Sequence, residues 1–183
     1  MCERNFTSES SPKAIPQKSA PTLVGRPVRE SCSECTDIAL PNNANTLGNV
    51  MGGHVMRLVD MCGGLAAWRH SRRPIVTAAI DYMSFLHPVH VGQVLILKSS
   101  VNRVFRTSME VGVKVWVEDP DTGAVRHTSS AYLTFVALDE SGKPVAVAPV
   151  IPETDDEKRR YFQAERHREA RLQTRPSIAR PKS

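Results

Sequence analysis

The sequence predicts an α+β domain in which one long helix is covered by an antiparallel sheet. Three observations carry this reading. A single helical pattern opens after Gly52-Gly53, and strand-like segments follow it without a second helix until past residue 152. Residues 107–119 alternate strictly, with Met109, Val111, Val113, Val115 and Val117 on one side and Glu110, Lys114 and Glu118 on the other. That is the period-two pattern of a strand with one face in a core and one in water. Finally, consecutive strands without helical crossovers pair antiparallel, because a parallel pair needs a long connection.

Taken in order, residues 1–29 are rich in Ser, Pro and Lys and show no apolar period. They are expected to be a disordered extension. They hold no apolar segment of the signal-peptide kind, and no run in the chain approaches the roughly 20 apolar residues of a membrane span. A cytoplasmic protein without a membrane partner is therefore expected. The folded domain is expected over residues 32–152. It starts with a short strand, ECTDIAL at 34–40, closed by Pro41 and the loop NNAN.

The helix is expected from Gly52-Gly53 to about His70, stopping before Pro74. Val55, Val59, Cys62 and Ala66 follow the i, i+4, i+7, i+11 spacing of one core-facing stripe. Gly63, Gly64, Ala66 and Ala67 would let a sheet approach closely, so the helix is expected to be buried nearly all round. The strands are PIVTAAIDYMSFL, VLILKSSVNRV, the alternating 107–119 segment and RHTSSAYLTFVALD, with turns at HPVHVGQ, DPDTG and ESGK. Residues 153–175 read as a charged C-terminal helix. Asp155, Asp156 and Glu157 at its start and arginines toward its end suit the helix dipole. Tyr161, Phe162 and Leu172 are its expected anchors, Arg175-Pro176 its stop, and 176–183 a flexible tail.

Composition narrows the function classes. Of 183 residues, 40% are hydrophobic and 23% charged, ordinary for a globular domain. The net charge of +5 points to anionic partners. Nucleic acid is not expected, since aromatics are only 5% and no compact Lys/Arg cluster lies among them. A phosphorylated small molecule would be drawn by the same field. Cys2, Cys32, Cys35 and Cys62 do not form a disulfide framework, and Cys32-Ser-Glu-Cys35 is a lone CxxC without a second ligand pair. No metal site is expected, and Cys32 and Cys35 are read as reduced thiols near a strand start.

The chemistry centres on Asp60, an acid among Met56, Val59, Met61 and Cys62. An isolated carboxylate in such company is costly to bury. Either it points to water, with Arg57 three residues back as a partner, or it is held in a site that uses it. On the helical wheel it shares a flank with Met56, Gly63 and Ala67. Gly52 and Gly53 present free N–H groups at the helix start, a place for an oxyanion, or simply form a pliable loop-to-helix junction. Asn45 and Asn49 bracket the preceding loop, where asparagines commonly cap or turn.

The stretch LPNNANTLGNVMGGHVMRLVDMCGGLAAWRH, with PIVTAAIDYMSFLHPVHVGQ, NRVFRTSMEVGVKVWVED and RHTSSAYLTFVALDESGKPVAVAPV after it, resembles the hotdog-fold acyl-CoA thioesterases of the cytosolic acyl-CoA hydrolase group. The resemblance spans residues 32–160. It implies a hotdog fold, a long central helix wrapped by an antiparallel sheet, paired as a double-hotdog dimer and gathered as a trimer of dimers, a homohexamer. It implies hydrolysis of acyl-CoA without a further cofactor, coenzyme A being part of the substrate. Asp60 matches the catalytic acid, Asn45 a partner asparagine reaching in from the other protomer, and Gly53 with Gly52 the amides that polarise the thioester carbonyl. Arg106, Thr107 and Ser108 match a turn lining the coenzyme A groove. Arg103, Arg72 and Arg73 are further candidates for its phosphates. Asp60 would serve as general base or as nucleophile. Two other readings are a hotdog dehydratase of 3-hydroxyacyl thioesters with His54 as base, and a non-catalytic acyl-CoA-binding module.

Overall fold

The computed structural model describes residues 23–174. Expectations that fall on residues 1–22 and 175–183, Cys2 and the Arg175-Pro176 stop among them, lie outside the described residues. The chain runs β1 (Arg26–Pro27), β2 (Ser33–Ile38), α1 (Gly52–Ser71), β3 (Ile75–Phe85), β4 (Val94–Val104), β5 (Ser108–Glu118), β6 (Val125–Ala137), β7 (Val150–Ile151) and α2 (Asp155–Thr174). Five strands form one antiparallel sheet in the order β2-β4-β5-β6-β3. Strands β1 and β7 make a separate two-stranded parallel pair. No helix among the described residues is long and apolar enough to cross a membrane.

The stripe Val55, Val59, Cys62 and Ala66 shares one buried core with Leu97, Val101, Met109, Val113 and Phe135 of the sheet. Each large aliphatic side chain so buried contributes roughly 1.5–3 kcal/mol. Close approach depends on Gly63, where an added Cβ would lie 3.3 Å from both Phe135 and Val113. Ser99 Oγ donates to the Cys62 carbonyl (2.7 Å), fixing α1 on β4. Cys32, Cys35 and Cys62 are free thiols.

Four expectations need correction. The folded part begins before residue 32: Arg26 pairs with Val150, its Nη1 donates to the His70 carbonyl (2.9 Å), and Val28 is buried in the core. A sparse apolar pattern hid this, because β1 is only two residues long. Helix α1 is not buried all round within the chain, since the sheet covers one side and Met56, Met61, Leu65 and Trp68 remain exposed. The second face of β5 is not wet throughout, because Glu110 is only 1% exposed. Helix α2 lies over it there, and His167 Nδ1 meets the Glu110 carboxylate at 3.2 Å. Finally, Phe162 and Leu172 do not anchor α2 within the chain; both are exposed, and Ala164 and Tyr161 take that role. The start of α2 is fixed by a reciprocal capping box: Glu157 N donates to Thr154 Oγ1 (3.2 Å), and Thr154 N donates to Glu157 Oε2 (3.0 Å).

Candidate active site

Asp60 sits on the flank of α1 that meets the start of β3. Its Oδ1 accepts a hydrogen bond from Thr77 Oγ1 at 2.6 Å. No ion pair forms with Arg57, whose guanidinium is turned to the Met61 sulfur (3.4 Å). The acid is partly covered, oriented by a neutral hydroxyl, and has no ion pair among the described residues. Thr77 was not foreseen from the sequence. The signal that could have found it is a hydroxyl on an otherwise apolar strand directly after the helix. The neighbouring thiol is no rival: burial pushes Cys62 up to about 12, so it stays protonated and inert as a nucleophile.

The loop before α1 is built on Asn45. Its Oδ1 accepts from the amides of Leu47 (2.9 Å) and Asn49 (3.1 Å), and the backbone closes with Asn45 N donating to Asn49 O (2.7 Å). This is the capping role asparagine commonly takes in turns. It uses only the side-chain oxygen, and the exposed Nδ2 has no partner among the described residues. Helix α1 then opens without a side-chain cap. Gly53 is exposed, and an added Cβ there would meet nothing within 4 Å. Within one chain the Gly53 amide and the Asp60 carboxylate do not converge. Gly53 and Asp60 are seven residues apart, about 10 Å along the helix axis, and the first amides of a helix point away from its body.

The candidate phosphate-binding residues divide. Thr107 O accepts from Ala137 N (3.1 Å), and Pro74 O accepts from Leu138 N (2.8 Å). The 106–108 turn and the Arg72-Arg73 corner thus gather at the C-terminal end of β6, with all three arginines exposed. Arg72 ends α1 in the left-handed conformation (φ 53°). Four residues of chain join Arg73 to Thr77, at most about 14 Å. Arg103 is elsewhere. It stacks 4.3 Å from the Tyr161 ring and pairs with Glu165, on the α2 side of the sheet opposite α1. His54, the candidate dehydratase base, is half-buried with Nε2 3.2 Å from Asp37 Oδ2. Two concavities among the described residues, of about 410 and 570 Å³, lie on the α2 side of the sheet.

The chain is similar to known acyl-CoA thioesterases in sequence and fold. The thioesterase superfamily profile matches residues 47–124. The uncharacterised acyl-CoA thioester hydrolase YkhA of Bacillus subtilis is 40% identical over 129 residues, 70% of this chain and 75% of that protein. A hexameric acyl-CoA thioesterase solved in its apo form superposes with a TM-score of 0.81 at 38% identity, over 86% of this chain and 100% of that one. The Staphylococcus aureus acyl-CoA hydrolase, solved with butyryl coenzyme A, coenzyme A and its disulfide, gives 0.76 at 32% identity, over 81% and 90%. Variants of that enzyme have been solved with an asparagine, an aspartate and a threonine each changed to alanine. Their separations of 15 and 17 residues equal those of Asn45, Asp60 and Thr77. The chain belongs to the hotdog-fold acyl-CoA thioesterases of the thioesterase superfamily.

Proposed function

We propose that the chain hydrolyses acyl-CoA thioesters in a site shared by two copies, Asp60 and Thr77 coming from one and Asn45, Gly52 and Gly53 from the other. The observation that carries this is the separation along α1. A carbonyl held by the Gly53 amide lies more than about 10 Å from the Asp60 of the same helix, so the two can act on one thioester only from different chains. The exposed edge strand β3, with Val76, Ile80, Tyr82 and Phe85 in solvent, supplies a surface for pairing with a second copy. Three such dimers would make a hexamer, the assembly named for similar solved thioesterases.

In the proposed reaction Asp60, oriented through Oδ1 by Thr77, takes a proton from water through Oδ2 as general base. Asn45 Nδ2 orients that water. The Gly53 amide, with Gly52 beside it, stabilises the oxyanion that forms when water adds to the carbonyl. The C–S bond then breaks, and the coenzyme A thiolate leaves and takes up a proton. Arg72, Arg73 and Arg106, with Thr107 and Ser108, bind the phosphates of the coenzyme A portion. The test mixes inactive Asp60→Ala with inactive Asn45→Ala protomers and reads coenzyme A release with a thiol reagent. Half of randomly re-formed dimers carry one intact site, so recovery of about one quarter of the wild-type rate is expected. No recovery after verified subunit exchange would contradict a shared site.

A further inference from the structure

Strand β3 is irregular where it meets Asp60. Its ladder with β6 skips Ala78 and again skips Asp81. A bulge sets two residues against one on the neighbouring strand and so reverses which way the following side chains face. Thr77 lies opposite Phe135, whose ring packs on Gly63 of α1. Ala79 lies opposite Thr134, itself the neighbour of Glu110 under α2. In a regular strand Thr77 and Ala79 would share a face. The bulge at Ala78 is what allows Thr77 to face Asp60 while the next paired residue faces α2.

Three side chains hold this irregularity from the far side of the sheet. The side chain of Asp81, the second skipped residue, is 6% exposed. It accepts from Thr134 Oγ1 at 2.9 Å and pairs with Arg171 of α2, whose Nη1 also donates to Thr134 Oγ1. One guanidinium thus ties the second bulge to the residue opposite the first. Packing beside these contacts is incomplete, since a cavity of about 570 Å³ opens beside Asp81, Tyr82, Tyr132 and His167. A buried carboxylate that lost its cation would be left without a compensating charge.

We propose that Asp81, Thr134 and Arg171 are positioning residues for hydrolysis: by holding the two bulges of β3 they keep Thr77 aimed at Asp60, so α2 sets the geometry of the catalytic carboxylate across the sheet. This rests on the reading of Asp60 and Thr77 given above. The test uses the full chain with Arg171→Gln, Thr77→Ala and the double variant, measuring kcat and KM for an acyl-CoA together with the thermal midpoint. Arg171→Gln is expected to lower kcat roughly tenfold or more, the scale of a small misplacement, with KM within about twofold, and Arg171→Lys to recover part of the loss. In the Thr77→Ala background Arg171→Gln should cause no further loss. If Arg171→Gln fails to fold, Asp81→Asn/Arg171→Gln removes the unpaired buried charge and carries the same comparison. An unchanged kcat in the folded variant, or an equal loss with and without Thr77, would overturn the proposal. Thr77→Ala at full kcat would overturn the reading of the site, and the proposal with it.

Discussion

Two glycines on the same helix should respond to alanine in opposite ways. In Gly63→Ala the new Cβ would stand 3.3 Å from Phe135 and Val113, tighter than ordinary contact. Both neighbours are fully buried and held in the ladders of β6 and β5, so neither can retreat cheaply. Alanine gains about 1 kcal/mol of helix propensity over glycine, while overpacking a core costs about 1–3 kcal/mol. The net expectation is a loss of about 1 kcal/mol, or about 2–4 °C in Tm for a domain of this size. In Gly53→Ala the Cβ enters open space, so stability should hold or rise slightly. Hydrolysis should fall, because the methyl group occupies the approach to the amide proposed to hold the oxyanion. Thermal unfolding at one fixed protomer concentration, with the coenzyme A release assay, reads both. A Gly63→Ala variant at least as stable as wild type would refute the packing argument, and full activity in Gly53→Ala would refute the oxyanion role.

Other consequences follow. Burial pushes the Glu110 carboxyl above its ordinary value of 4.5, although Asn102 and His167 work against the shift. The unfolded chain therefore ionises first as pH rises. The folded state should lose stability relative to a Glu110→Gln variant from about pH 4.5 upward, seen as a widening difference in unfolding midpoint; a constant difference across that range would contradict this. Deleting residues 1–29 removes the buried Val28 and the Arg26 bond to His70 and should cost about 1.5–3 kcal/mol or more in urea unfolding, whereas a deletion ending at residue 22 leaves every described contact in place. Arg73→Ala and Arg106→Ala should each raise KM about fivefold, equivalent to about 1 kcal/mol, with kcat kept. The effect should vanish with an acyl-pantetheine lacking the nucleotide phosphates, while Arg103→Ala should weaken α2 docking and leave KM alone.

What was legible in the sequence was what repeats locally. The helix stripe Val55, Val59, Cys62, Ala66 and the alternation of β5 are periodic over several turns or residues, and their core faces were read correctly. The acid stood out because its neighbours are apolar. What escaped depends on contacts between distant segments. Glu110 looks like a solvated residue until α2, some fifty residues later, folds over it. The bulges at Ala78 and Asp81 leave no mark in a segment whose hydrophobicity is nearly continuous, so neither Thr77 nor the Asp81–Arg171 pair could be placed. Charge alone does not tell which face of a sheet an arginine serves, so Arg103 looks like a phosphate ligand in the sequence and yet stacks on Tyr161. Residues 26–28 join the fold through a two-residue strand, too short for any period to announce.

The central claim is that the partly covered carboxylate of Asp60 drives thioester hydrolysis. The direct measurement is kcat of Asp60→Asn on an acyl-CoA, followed by coenzyme A release, with assembly and unfolding midpoint checked against wild type. Asparagine keeps the shape and can still accept the Thr77 hydrogen bond, but it cannot take a proton from water. A fall of roughly 10²–10⁴-fold in kcat is expected, with KM little changed. A folded, assembled Asp60→Asn protein turning over at close to the wild-type rate would contradict it.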